Sequence, residues 1–114
     1  MGEPTDIQPG TLALLILKTL QTLGPQHGYG IARRVEQVSG DAIRLNQGTI
    51  YPALVKLEQQ GWIRTKWGTS EANRRAKYYS LTPRGEKALA AEAARWERVS
   101  TVVNRFLNPS AQPE

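Results

Sequence analysis

The sequence predicts a mainly α fold with a small β-hairpin: a winged helix-turn-helix followed by one long C-terminal dimerisation helix. Three observations carry this prediction. Apolar residues recur at helical spacing in separate segments, WIRTKW and AKYYSL alternate on either side of the polar loop GTSEANRR, and Thr82-Pro83 opens a run with no further proline until Pro109. At 114 residues the chain has room for one modest core.

Residues 1–9 hold Pro4 and Pro9 among few apolar groups and are expected to form a flexible arm ahead of a winged domain over 10–82. The first helix is predicted from Thr11 to Leu23. Its apolar residues cover more than one core-facing stripe, so a second set of neighbours is expected, with Leu12 and Leu15 turned toward another subunit. GPQHGYG interrupts the helix, and His27 is expected in the turn or at the start of the next helix, which runs from about Tyr29 to Val38 on an Ile31, Val35, Val38 stripe. Ile43 and Leu45 alternate about Arg44, which predicts a very short strand.

The segment QGTIYPALVKLE predicts the third helix, with Ile50, Leu54 and Leu57 as its buried stripe. Proline is tolerated where backbone N–H groups lack an intrahelical acceptor, so Pro52 is expected to mark a start near Gln47–Thr49. Gly61 supplies a left-handed stop. The two alternating segments then form a hairpin, with Trp62 and Trp67 expected in core and hairpin packing. Thr82 and Pro83 make an N-cap and N1 pair for a helix over 83–107, and 108–114 form a flexible tail. On that helix Leu89, Trp96, Val99, Val103 and Phe106 share a seam at near-heptad spacing, which a lone helix cannot bury; a homodimer is expected to cover it.

Charge locates the contact with a partner. The formal net charge is +5, and six basic residues between Arg64 and Arg84 face Glu71 alone, while the rest of the chain balances. An excess confined to the hairpin points to a local polyanion contact. In a helix-turn-helix the second helix of the motif meets base edges in the major groove. Gln47, Thr49 and Tyr51 carry groups suited to bases or phosphates, Pro52 shares their outward face, and Lys56 reaches the backbone. Asn73, Arg74, Arg75 and Lys77 belong to the wing, on phosphates or in the minor groove. Double-stranded DNA with a pseudo-palindromic operator is therefore the expected partner; a protein-interaction module binding an acidic protein is the alternative.

Other classes find little support. There is no cysteine, the one histidine has no metal-ligand partners at recognisable spacing, and no metal or other cofactor is expected. GYGIAR lacks the third glycine of a dinucleotide fingerprint. Glu58, Glu71 and Glu86 are scattered and no Ser–His–Asp set is visible, so no enzyme is expected. The N-terminus has no export features and no run of 18 apolar residues exists, so the expected location is cytoplasmic, without a membrane.

The segments GTLALLILKTL, HGYGIARRVEQ, LNQGTIYPALVKLEQQGWI and NRRAKYYSLTPRGEKAL, over roughly residues 9 to 90, together resemble the PadR family of bacterial transcriptional regulators. The resemblance implies a dimeric winged-helix DNA binder, usually a repressor released by a small molecule, with the dimer contacts on the C-terminal helix. It places Tyr51 and its neighbours on the DNA-reading helix and Arg74, Arg75 and Lys77 on the wing. The short C-terminal part is similar to the smaller members, which have one such helix. Trp96, on the seam, either packs the dimer or lines an aromatic pocket open to a small, flat effector.

Overall fold

The computed structural model describes residues 7–111. Along them run α1 (Pro9–Leu23), β1 (Gln26–His27), α2 (Gly28–Val38), α3 (Gln47–Gln59), β2 (Ile63–Thr69), β3 (Arg75–Leu81), α4 (Pro83–Leu107) and a 3-10 turn at Pro109–Ala111. Most of the expected N-terminal arm, residues 1–6, and the end of the expected tail, residues 112–114, lie outside the described residues. Pro9 is the first residue of α1 rather than the last of an arm, because its fixed φ suits a position whose N–H has no helical partner.

α1 is the central element, packed against α2, α3, α4 and β3. Ile16 and Leu17 of α1, Ile31 of α2, Ile50, Leu54 and Leu57 of α3, and Ile63 of β2 are fully enclosed. Two residues expected at a subunit contact belong to this core instead. Leu12 and Leu89 are each only 4% exposed within the single chain, so neither offers a surface to a second subunit. The breadth of α1's apolar face is used inside the chain, where neighbours surround it. Leu15 is half-buried beside that core. On α2, Ile31 and Val35 are buried as expected, but Val38 at the helix end is exposed.

The sheet has three strands in the order β1-β3-β2, all antiparallel. The expected strand at Ile43–Leu45 is absent. Side chains at the end of α2 take up its backbone donors: Ile43 N–H donates to Ser39 Oγ at 3.1 Å, and Leu45 N–H donates to Glu36 Oε2 at 3.1 Å. The third strand is Gln26–His27, opposite Tyr79 and Tyr78 of β3.

α4 is anchored at its first turn. Thr82 Oγ1 accepts from Gly85 N–H at 2.9 Å and donates to the Gly61 carbonyl at 2.7 Å. Gly61, at φ 76°, is the expected left-handed stop after α3. A Cβ on Gly85 would lie 2.0 Å from the Trp62 carbonyl oxygen, so only glycine lets α4 approach this closely. Beyond Leu89 no residue of α4 is buried, though Glu92, Arg95, Trp96 and Val99 still border the start of α1. The radius of gyration is 16.1 Å, against about 13 Å for a compact chain of this length. Trp96, Val99, Val102, Val103, Phe106 and Leu107 form an exposed apolar stripe along the overhang. Among the described residues no helix is long and apolar enough to cross a membrane.

Gly85→Ala is expected to lower stability in a urea titration by about 1–3 kcal/mol, the usual range for overpacking, because the Trp62 carbonyl is fixed backbone and cannot rotate away.

Candidate nucleic-acid interface

α3 begins at an asparagine cap. Asn46 Oδ1 accepts from Thr49 N–H at 3.0 Å and from Thr49 Oγ1 at 3.2 Å, and the Asn46 carbonyl accepts from Ile50 N–H at 3.0 Å. Helix start and cap follow directly from this residue. Pro52, expected in the first turn, is the sixth residue of the helix. It does not set the start; it removes the donor that the Gly48 carbonyl would otherwise receive. Gly48 is exposed, so water reaches the freed oxygen.

The core stripe of Ile50, Leu54 and Leu57 turns the rest of α3 outward. Gln47, Thr49, Tyr51, Pro52 and Lys56 are all exposed, as is the apolar Val55 between them. They do not form one patch. Thr49, Pro52 and Lys56 border a groove of about 520 Å³ with the start of α1, Trp62 and α4, while Tyr51 lies on the opposite side of α3, facing the hairpin.

Tyr51 and the hairpin cations share one cleft. It has a volume of about 730 Å³ and is bounded by the first turn of α2, Tyr51, Trp67 and the wing residues Arg74, Arg75 and Lys77. No carboxylate pairs with these three cations among the described residues. The Arg75 guanidinium sits 4.7 Å from the centroid of the Trp67 ring, a cation–π contact that presents the charge without neutralising it. Trp67 is 55% exposed and packs within the hairpin through this stack, while Trp62 packs against the core, the division of core and hairpin packing expected of the pair. Asn73 stands in the turn between the strands at φ 59°, a conformation asparagine adopts more readily than most residues. Tyr29, quoted within HGYGIARRVEQ but given no role there, also lines the cleft. It is 70% exposed, whereas its neighbour Ile31 is fully buried.

The fold has counterparts among known proteins. The model described as the Transcriptional regulator PadR-like family matches residues 16–91. This chain belongs to that family. A transcriptional regulator from Clostridium thermocellum superposes on the PadR-like chain with a TM-score of 0.78 at 29% identity, covering 87% of this chain and 95% of that one. A PadR family transcription regulator from Clostridium difficile gives 0.72 at 31% identity, covering 85% and 98%. An uncharacterized 37.1 kDa protein of the Streptomyces fradiae transposon TN4556 is 40% identical over 77 residues, 68% of this chain. The PadR-like chain spans only 21% of that relative's length in the match.

Tyr79, in the middle strand under the cleft, has its hydroxyl held above the ordinary value of 10.0, first by burial and then by Tyr51 and Glu58, either of which repels a tyrosinate when charged. The folded state thus binds this proton more tightly than the unfolded chain. Its contribution is complete below about pH 10 and is lost as pH rises through the folded value. Tyr79→Phe is expected to reduce the alkaline fall in melting temperature above about pH 10, measured by circular dichroism against the parent protein.

Proposed function

We propose that this PadR-like regulator is a homodimer that binds a pseudo-palindromic DNA operator, represses transcription there and is released by a small effector. The observation that carries the DNA reading is the cleft in which Tyr51 of α3 faces the unpaired Arg74, Arg75 and Lys77 of the hairpin. Gln47 stands at the exposed tip of α3 and Tyr51 on its hairpin side, while Thr49, Pro52 and Lys56 lie on its other exposed side, where Lys56 is available to a phosphate at the edge of the contact. Asn73, Arg74, Arg75 and Lys77 form the wing contact. Two such surfaces related by a two-fold axis enter successive major grooves about 34–36 Å apart.

The exposed stripe of α4 supports the dimer. Trp96, Val99, Val103 and Phe106 lie on the overhang, and Phe106 is 82% exposed. A second copy of the same stripe covers it; Leu15, on the α2 side of α1, lies away from this contact. Repression and release extend the family reading. We place a flat apolar effector at Trp96, which is half-exposed and borders a shallow groove with Thr11, Leu14 and Val99.

Selection of bound genomic fragments is expected to enrich a dyad-symmetric sequence. On that site Tyr51→Ala loses much more affinity than on random DNA, whereas Arg74→Ala with Arg75→Ala weakens both and reduces the salt slope by about 2, one for each phosphate-binding cation removed. Full operator preference in the tyrosine variant would remove the base-reading role. Light scattering at micromolar concentration is expected to give twice the 12.7 kDa chain mass. In the same sample, effector quenching of tryptophan emission disappears in Trp96→Phe.

A further inference from the structure

We infer that the groove between α1 and α2 is a docking site for another protein, and that it takes an amphipathic helix with an aliphatic stripe and carboxylates on both margins. The groove shares no lining residue with the cleft of Tyr51 and the hairpin cations, and none with α4. The inference therefore stands independently of the DNA and dimer readings above.

Three apolar residues whose exposure the fold does not explain meet there. Val38 ends the Ile31, Val35, Val38 stripe of α2, yet it is 71% exposed. Leu15 faces α2 instead of the overhang of α4 and is only half-buried. Ile43 belongs to an alternating segment that forms no strand, and it too is half-buried. Together they line a groove of about 350 Å³ floored by the buried Val35, with aliphatic side chains and no aromatic ring. Two hydroxyls on its wall direct their protons to backbone: Thr19 Oγ1 donates to the Leu15 carbonyl at 2.8 Å, and Ser39 Oγ to the Glu36 carbonyl at 3.0 Å. An open aliphatic groove between two helices fits the side chains that a third helix presents at i, i+3, i+4 and i+7.

Charge decides the partner. Lys18 stands on the α1 side of the groove and Arg34 on the α2 side, and no carboxylate lines it. The Lys18 ammonium donates to Gln21 Oε1 at 2.8 Å, a neutral amide that leaves its charge in place. Arg34 has no ion pair among the described residues. Glu36, the acid of α2, has its Oε2 occupied by Leu45 N–H. A helix with leucine-like anchors and aspartate or glutamate on either margin thus meets apolar surface at its centre and opposite charge at both rims. A second copy of this chain does not, because a two-fold contact through the groove brings Lys18 and Arg34 of both copies together. DNA fits no better: its phosphates would find an exposed valine between two cations instead of a continuous basic strip.

The test is selection from a displayed library of helical peptides on the parent protein, with Val38→Glu as counter-selection so that only peptides dependent on the groove survive. Enrichment of leucine or isoleucine at i, i+3 or i+4, and i+7, flanked by aspartate and glutamate, is the expected result. No enrichment, or survivors that are basic or uncharged, overturns the inference. The most enriched peptide, labelled with fluorescein and titrated by anisotropy, is expected to bind Val38→Ser about tenfold more weakly, from the lost burial of a valine side chain. Lys18→Glu is expected to bind it several-fold more weakly, and Arg74→Ala with Arg75→Ala as the parent does. An equal loss in the double arginine variant places the peptide on the hairpin and overturns the inference. Both Val38 and Lys18 are exposed, so unchanged melting temperatures are expected; Lys18→Glu alone decides should Val38→Ser unfold. If light scattering shows that Val38→Glu halves the mass of the parent, the groove is a contact between copies of this chain and the inference falls.

Discussion

The structure depends on one junction, where a threonine hydroxyl and a missing side chain lock four segments together. Thr82 Oγ1 joins the turn after α3 to the first turn of α4, and Thr82 N–H donates to the Trp62 carbonyl at 3.1 Å. Gly85 then lets the helix rest on that same carbonyl. The end of α3, the start of β2, the end of β3 and the start of α4 are thus fixed at a single place. The orientation of α3 to the hairpin and that of both to the overhanging helix follow from it. Substitutions here are expected to disturb the placement of α3, the hairpin and α4 together.

The charge distribution complements this rigidity. An exposed ion pair contributes little to stability, and the hairpin makes none: its cations are left without carboxylates, while Arg75 is oriented by an aromatic ring. Such an arrangement gives up a small stabilisation and keeps the positive potential available for a polyanion. Charge balances over the rest of the chain, so the excess belongs to the segment from Arg64 to Arg84, half of whose cations line the cleft. α3 has a comparable division, with Tyr51 on the hairpin side and Thr49, Pro52 and Lys56 on the other.

What was legible in the sequence was local. Gly61, Thr82-Pro83 and the alternation in WIRTKW and AKYYSL each encode a short-range conformation, and the structure has all of them where expected. The clustering of Arg74, Arg75 and Lys77 was equally plain. What escaped depended on distant partners. Gln26 and His27 become a strand only because Tyr78 and Tyr79, far along the chain, present an open edge. Ile43–Leu45 has strand-like alternation, but Ser39 and Glu36 take its donors. Leu12 and Leu89 looked like surplus apolar surface because periodicity does not reveal how many neighbours surround a helix. The helix starts at Gln47 as expected, but Pro52 lies two residues past the first turn, where the carbonyl it strands is on an exposed glycine. The Tyr29 cleft was invisible because its walls come from separate parts of the sequence.

The overhang of α4 has a mechanical consequence. The last eight residues of α4, beyond Val99 at the edge of α1, form an arm about 12 Å long, and a tilt of about 5° at its base moves the tip by about 1 Å. In the proposed pair, that displacement changes the separation and angle of the two reading surfaces, while each domain keeps its internal packing. The stiffness of the pivot is set by backbone meeting backbone at Gly85 and Trp62, so it has almost no side-chain freedom to absorb a push. A push on the stripe reaches the domain by two routes, through this pivot and through α1, which Trp96 and Val99 border.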